Sequence, residues 1–102
     1  MMGGRQLSNE QKRLLASVWD EISKRMQVNF MIVLDYHVYK VKGEHARKLF
    51  IEDPLKFRDA FTTIFGHGVW KLFEKIISDA CKKLGIDPDI FLRIFEYEDP
   101  LF

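Results

Sequence analysis

The chain is almost without cysteine: Cys81 stands alone among 102 residues, so no internal disulfide can form. A solitary thiol suits a reducing compartment, and the expected location is the cytoplasm. Long apolar runs are missing too. The longest, Phe30 to Leu34, is far short of the ~20 residues that a transmembrane helix requires, so no membrane span is expected. No secretory signal pattern opens the chain. Low-complexity segments and solenoid-type repeats are absent. The catalytic fingerprints are missing as well. There is no nucleophile elbow, P-loop or dinucleotide fold signature, and Gly66-His67-Gly68 lacks both a third glycine and a preceding strand. The formal net charge is only +1, which gives no global pull toward polyanions.

What is present fits one globular domain, with 47% hydrophobic and 30% charged residues. Residues 1–7 read as a flexible start and 8–102 as a single helical domain with an apolar C-terminal extension over 87–102. Charge is distributed unevenly. Residues 1–51 hold nine Lys/Arg against five Asp/Glu, and residues 52–102 hold seven against ten. Nine Phe, three Tyr and two Trp supply more aromatic surface than so small a domain readily hides, which points to burial against a second subunit.

Helix signals dominate the pattern. Ser8-Asn9-Glu10-Gln11 is a capping box, followed by Leu14, Leu15, Val18, Trp19, Ile22 and Met26 at three- and four-residue steps. Residues 28–42 carry β-branched and aromatic side chains that would suit a strand. Fourteen or so residues without an internal glycine or proline favour a helix, and the wide apolar surface places it centrally. Gly43 to Asp53 reads as a connection with about one helical turn. Asp53-Pro54 and Asp87-Pro88 each pair an N-cap acid with a proline at the first helical position. The expected fold is all-α: a compact bundle of four main helices over 9–26, 28–42, 54–65 and 68–84, plus a short C-terminal helix over 88–96. Ser8, Asp53 and Asp87 are the expected helix caps. Gly66, Gly68 and Gly85 are the expected structural corners, with Gly66 in the left-handed region, because apolar stripes on its two sides would face different directions along one straight helix.

From Asp53 to Ile86, "DPLKFRDAFTTIFGHGVWKLFEKIISDACKKLGI" resembles a family of small archaeal proteins. Their pattern is Asp/Asn-Pro, a Phe, a run ending Phe-Gly-x-Gly, and an amphipathic helix closing on Leu-Gly-Ile. The preceding "LDYHVYKVKG" looks like that family's aromatic second helix. The module is similar to the Nitrosopumilus output domain type found fused in archaeal signalling proteins, and the resemblance spans roughly residues 30–86. It implies an interaction or output role without assigned catalytic residues. The matching positions Asp53, Pro54, Phe57, Phe65, Gly66, Gly68, Leu84 and Gly85 read as scaffold. The segment from Ile90 to Phe102 departs from the pattern. Separately, "LSNEQKRLLASVWDEI" looks like the opening helix of a globin, but no haem-bracketing histidine pair follows.

Candidate sites are few. His37, His45 and His67 never stand at i, i+3 or i+4 from one another, so no helix face offers a two-histidine metal site. A metal site would have to assemble His37, His45 and Cys81 in space. The carboxylates Asp53, Asp59, Glu74 and Asp79 are spaced as caps and solvent-face charges. Lys40, Lys42, Arg47 and Lys48 form the best basic patch, weak for phosphate-driven binding. Trp19, Tyr36, Tyr39 and Trp70 are the residues that would surround a small-molecule or haem-type ligand. The densest apolar signal is "DIFLRIFEYEDPLF", where Phe91, Ile94, Phe95 and Tyr97 are a candidate interface that either covers its own core or enters a partner. The resulting expectation is a non-enzymatic protein-interaction or regulatory module, homodimeric, without a cofactor. The alternatives are an aromatic-pocket sensor and a weak nucleic-acid binder.

Overall fold

The computed structural model describes residues 7–96, and among these it contains only helices and their connections. They are α1 (Asn9–Arg25), α2 (Val28–Lys42), α3 (Ala46–Glu52), α4 (Pro54–Phe65), α5 (His67–Lys83) and α6 (Pro88–Leu92), followed by a 3-10 turn, Arg93–Phe95. The all-α class therefore stands, with more pieces than four main helices and one short one. α3 is a seven-residue helix where a connection was expected.

Local chemistry explains most of the boundaries. Ser8 Oγ accepts from the Gln11 amide at 3.0 Å, and the Gln11 side chain accepts from the Ser8 amide at 2.9 Å. Two otherwise orphaned donors are satisfied at once, so α1 starts there. Asp53 accepts from the Lys56 amide at 3.3 Å and opens α4, with Pro54 in the first turn. Asp87 does the same for α6 through the Asp89 amide at 3.0 Å. α5 closes on a two-bond Schellman ending: Gly85 N–H donates to the Lys82 carbonyl at 3.2 Å and Ile86 N–H to the Cys81 carbonyl at 2.8 Å.

Gly66 is the sharpest corner. It is at once the C-cap of α4 and the N-cap of α5, with φ 89° and ψ 166°. That is positive φ with extended ψ, a region open essentially to glycine alone. The left-handed helical conformation expected there is not the one adopted, because the chain must reverse into a new helix within one residue. Gly68 lies inside α5, and a Cβ built on it meets no heavy atom within 4 Å, so it starts the helix and does not serve close packing.

The core is an aromatic cluster centred on Phe57. Its ring lies 5.2 Å from Phe50, 5.8 Å from Trp19 and 6.0–6.3 Å from Phe61, Phe73 and Trp70. Edge and tilted approaches dominate, which aromatic quadrupoles favour. Around it, α1 supplies Leu15, Val18 and Ile22, and α5 supplies Ile77, Ala80 and Cys81, all at 0% exposure. Glu21 of α1 is also buried, 3.4 Å from Arg25 Nε and 3.8 Å from Lys83 Nζ of α5. Paired in this way, its charge does not sit alone in the interior.

This core decides one open alternative and corrects one expectation. Phe91, Ile94 and Phe95 are buried in the chain's own interior, with Phe95 5.1 Å from Phe50 and 5.7 Å from Trp70. Arg58 Nη1 fastens the turn by donating to the Phe95 carbonyl at 3.0 Å. These three are core side chains here, so the tail up to Glu96 docks on its own domain; Tyr97 lies outside the described residues. Six of the nine Phe and both Trp are buried within one chain, whereas Tyr36 and Tyr39 stay exposed. The correction concerns α2, which is peripheral and not central. It packs on α3 and α4, and only Leu34 and Val38 are buried.

Candidate functional site

α2 is apolar around its circumference, yet one side alone has protein behind it. Leu34 and Val38 enter the core, and Phe30 stacks on Phe65 at 5.9 Å. Lys42 Nζ ties the C-terminal end of α2 to Asp59 of α4 at 2.7 Å. On the outer side Val28 is 72% exposed, Ile32 61%, Tyr36 57% and Tyr39 50%. They succeed one another at steps of four, four and three residues and form a continuous ridge. A helix that is hydrophobic all round normally lies buried on all sides. Scattered apolar residues are ordinary on a surface, but an aligned ridge with Val33 beside Tyr36 is a contiguous patch.

The edge of this ridge is built with care. Asp35 of α2 accepts from the Ala46 amide at 2.7 Å and so caps α3 from eleven positions upstream. Its other oxygen lies 3.0 Å from His45 Nδ1, and the His45 ring stacks on Tyr39 at 4.8 Å. Gly43, with φ 76° in the left-handed region, turns the chain between them. Next to the N-terminal half of α2, an open cleft of about 380 Å³ is lined by Ser23, Val28, Met31, Ile32 and Asp35.

The residues singled out from sequence distribute differently. Of the basic candidates, Lys42 pairs with Asp59, Arg47 lies 3.7 Å from Asp20, and Lys48 lies 3.2 Å from Glu44. Lys40 sits over the Tyr36 ring at 5.5 Å. Three of the four charges are thus neutralised locally, which leaves little field for a phosphate backbone. The aromatic candidates divide: Trp19 and Trp70 are in the packed core, whereas Tyr36 and Tyr39 are on the outer face of α2. They do not surround one pocket.

Among the described residues no group of three or more His, Cys, Asp or Glu side chains converges as a metal site would. Cys81 has 0% exposure, and burial pushes its thiol up from 9.0 to about 11, so the nucleophilic thiolate is suppressed. His67 is exposed on the rim of an open cleft of about 290 Å³ with Arg58, Asp59, Thr62 and Thr63. Arg58 and Asp59 are engaged there by Phe95 and Lys42, and Thr62 donates to the Asp59 carbonyl at 3.1 Å. No nucleophile–base pair forms in that cleft. No described helix is long and apolar enough to cross a membrane.

The outer face of α2 is the feature that sequence reasoning missed. Its residues were all visible, but their apolar character was assigned to the interior. No family model matches the chain, and no curated protein or solved structure is found to be similar to it.

Proposed function

We propose that this chain is a non-enzymatic protein-interaction module that works as a homodimer, in the manner of a regulatory or signal-output domain. One observation carries the reading: α2 leaves a ridge of Val28, Ile32, Tyr36 and Tyr39 in water although the rest of the molecule closes its own aromatic core. Covering such a ridge recovers hydrophobic free energy of about 25 cal/mol for each Å² of apolar surface removed from water. Of the four basic candidates, Lys42, Arg47 and Lys48 are held in local ion pairs. The resemblance of residues 30–86 to fused archaeal output modules supports the same direction, with self-association as the output.

Sedimentation of the whole chain across the micromolar range tests the proposal. A concentration-dependent dimer is expected, abolished by Ile32→Glu while the circular dichroism spectrum stays unchanged. A protein that sediments as a monomer throughout that range defeats the homodimer.

A further inference from the structure

The outer face of α2 has more pattern than hydrophobicity. Assigned to heptads, Asn29 and Tyr36 fall at a positions, and Ile32 and Tyr39 at d positions. Val28 and Asp35 then fall at g, and Val33 and Lys40 at e. These are the positions that α2 turns away from the core. Val28, Ile32, Val33, Tyr36 and Tyr39 are among the exposed large apolar residues, and the Asp35 side chain is 42% exposed. Asn29 and Lys40 are exposed as well. A two-heptad seam therefore lies ready-made on the surface, already helical and held in place by the domain behind it.

We infer that α2 is the dimer interface and that it pairs in parallel and in register with α2 of a second copy of this chain; the inference rests on the homodimer reading above. The argument is complementarity. In a parallel pair each g residue faces the e residue five positions later on the other helix. Val28 then meets the partner's Val33, and Asp35 meets the partner's Lys40, each twice by symmetry. Like meets like in the apolar pair, and opposite charges meet in the other. In an antiparallel pair g flanks face g flanks, which brings the two Asp35 carboxylates onto the same side of the seam.

The charges are free to play this part. The Lys40 ammonium rests over Tyr36 and meets no carboxylate among the described residues. Asp35 accepts from Ala46 and approaches His45, and a carboxylate has further lone pairs for a lysine. Asn29 at an a position is the kind of polar group that fixes register and favours two strands, at some expense in stability. With about 22 Å of helix, each partner buries less than the ~800 Å² of a standard interface, so dissociation is expected in the micromolar range.

Cysteine cross-linking of the whole chain separates the arrangements. In the parallel register Asn29 sits opposite its own mate, within reach of the Cα separations of 4.4–6.8 Å or so that a disulfide needs. In an antiparallel pair centred near Leu34 the same two positions lie roughly 15 Å apart along the axis. Asn29→Cys is therefore expected to oxidise to a covalent dimer, and Asp79→Cys on the exposed side of α5 to remain monomeric under the same conditions. Lys40→Glu is expected to weaken the dimer about tenfold, since two attractions become two repulsions. Mixing it with Asp35→Lys should recover heterodimer, because opposite charges then face each other along both flanks. Because Asp35 also caps α3, circular dichroism must first show that Asp35→Lys is folded; if it is not, Lys40→Glu alone decides the charge argument. A dimer in solution that neither cross-links at Asn29→Cys nor responds to Lys40→Glu overturns the parallel seam and leaves the homodimer standing. A monomer at every concentration overturns both.

Discussion

α2 and α4 lie side by side, are similarly rich in apolar residues, and have opposite fates. α4 is hemmed in by α2, α3, α5 and the C-terminal turn, so Phe57, Ala60 and Phe61 are fully buried. α2 packs on α3 and α4 and leaves Val28, Ile32, Val33, Tyr36, Tyr39 and Val41 exposed. The difference is not in composition but in what stands opposite each face. An apolar side chain stabilises the fold only where other atoms close over it; elsewhere it is a surface available to something outside the chain.

Deleting one ring from each helix puts the largest strain on this contrast. Phe57→Ala removes the hub of the aromatic cluster and is expected to cost about 3–5 kcal/mol in chemical denaturation, the range for large-to-small changes in a packed core. Tyr36→Ala removes a ring of similar size from α2 and should change monomer stability by no more than about 0.5 kcal/mol, as for ordinary surface positions. Equal losses would mean that α2 is far better anchored than its exposure indicates.

The corner that lets α4 and α5 face one core gives the next effect. Gly66→Ala places a Cβ on a residue at φ 89°, where the strain is of the order of 1–3 kcal/mol, whereas nothing within 4 Å would obstruct the methyl itself. The cost is therefore a backbone cost. His67→Ala, on an exposed side chain, should stay within about 0.5 kcal/mol.

A third probe reads the depth of the core by pH. The Cys81 thiol titrates near 11 in the folded protein against 9.0 ordinarily. Between those values the unfolded chain has lost the proton and the native state still holds it. Stability therefore declines with rising pH across that window, and the contribution is complete below pH 9. Thermal melts of wild type and Cys81→Ala from pH 8 to pH 11 should converge as the pH rises, since the variant lacks this one component. Parallel curves would place the thiol in water.

Smallest is the fastening of α2 itself. Lys42→Ala breaks the 2.7 Å pair with Asp59, which is 51% exposed, so roughly 0–1 kcal/mol is expected by denaturation. A larger loss would show that α2 depends on that tie more than on Leu34 and Val38.

What the sequence made legible follows the range of the interactions involved. α1, α4 and α5 announce themselves because their caps and apolar stripes are local: Ser8 reaches Gln11, Asp53 reaches Lys56, and Leu84-Gly85-Ile86 closes over Cys81 and Lys82. α3 escaped notice because its first amide is capped by Asp35 from another helix, a pairing that periodicity cannot reveal. The position of α2 escaped for a related reason. Its apolar circumference is compatible with a central helix and with an edge helix that has an uncovered face, and only the placement of the other helices decides. The tail was visible as apolar density, but its destination depended on the hole between Phe50 and Trp70 that Phe95 fills. The α2 ridge therefore became a candidate site only when the three-dimensional neighbours were known.

Gly66 has one further consequence. A connection of one residue holds no slack, so the rotational phase of α5 about its axis is locked to the end of α4. One residue inserted just after Gly66 would turn the following helix by about 100° relative to that lock. Trp70, Phe73 and Ile77 would swing out of the interior and the Lys71–Lys75 side would swing in. The three-residue link from Gly43 to His45 imposes no such phase, because α3 is positioned by the Asp35 latch and by its own packing. Changes in chain length are thus tolerable beside α2 and forbidden at the corner, and the freedom to vary lies next to the face that is free to bind.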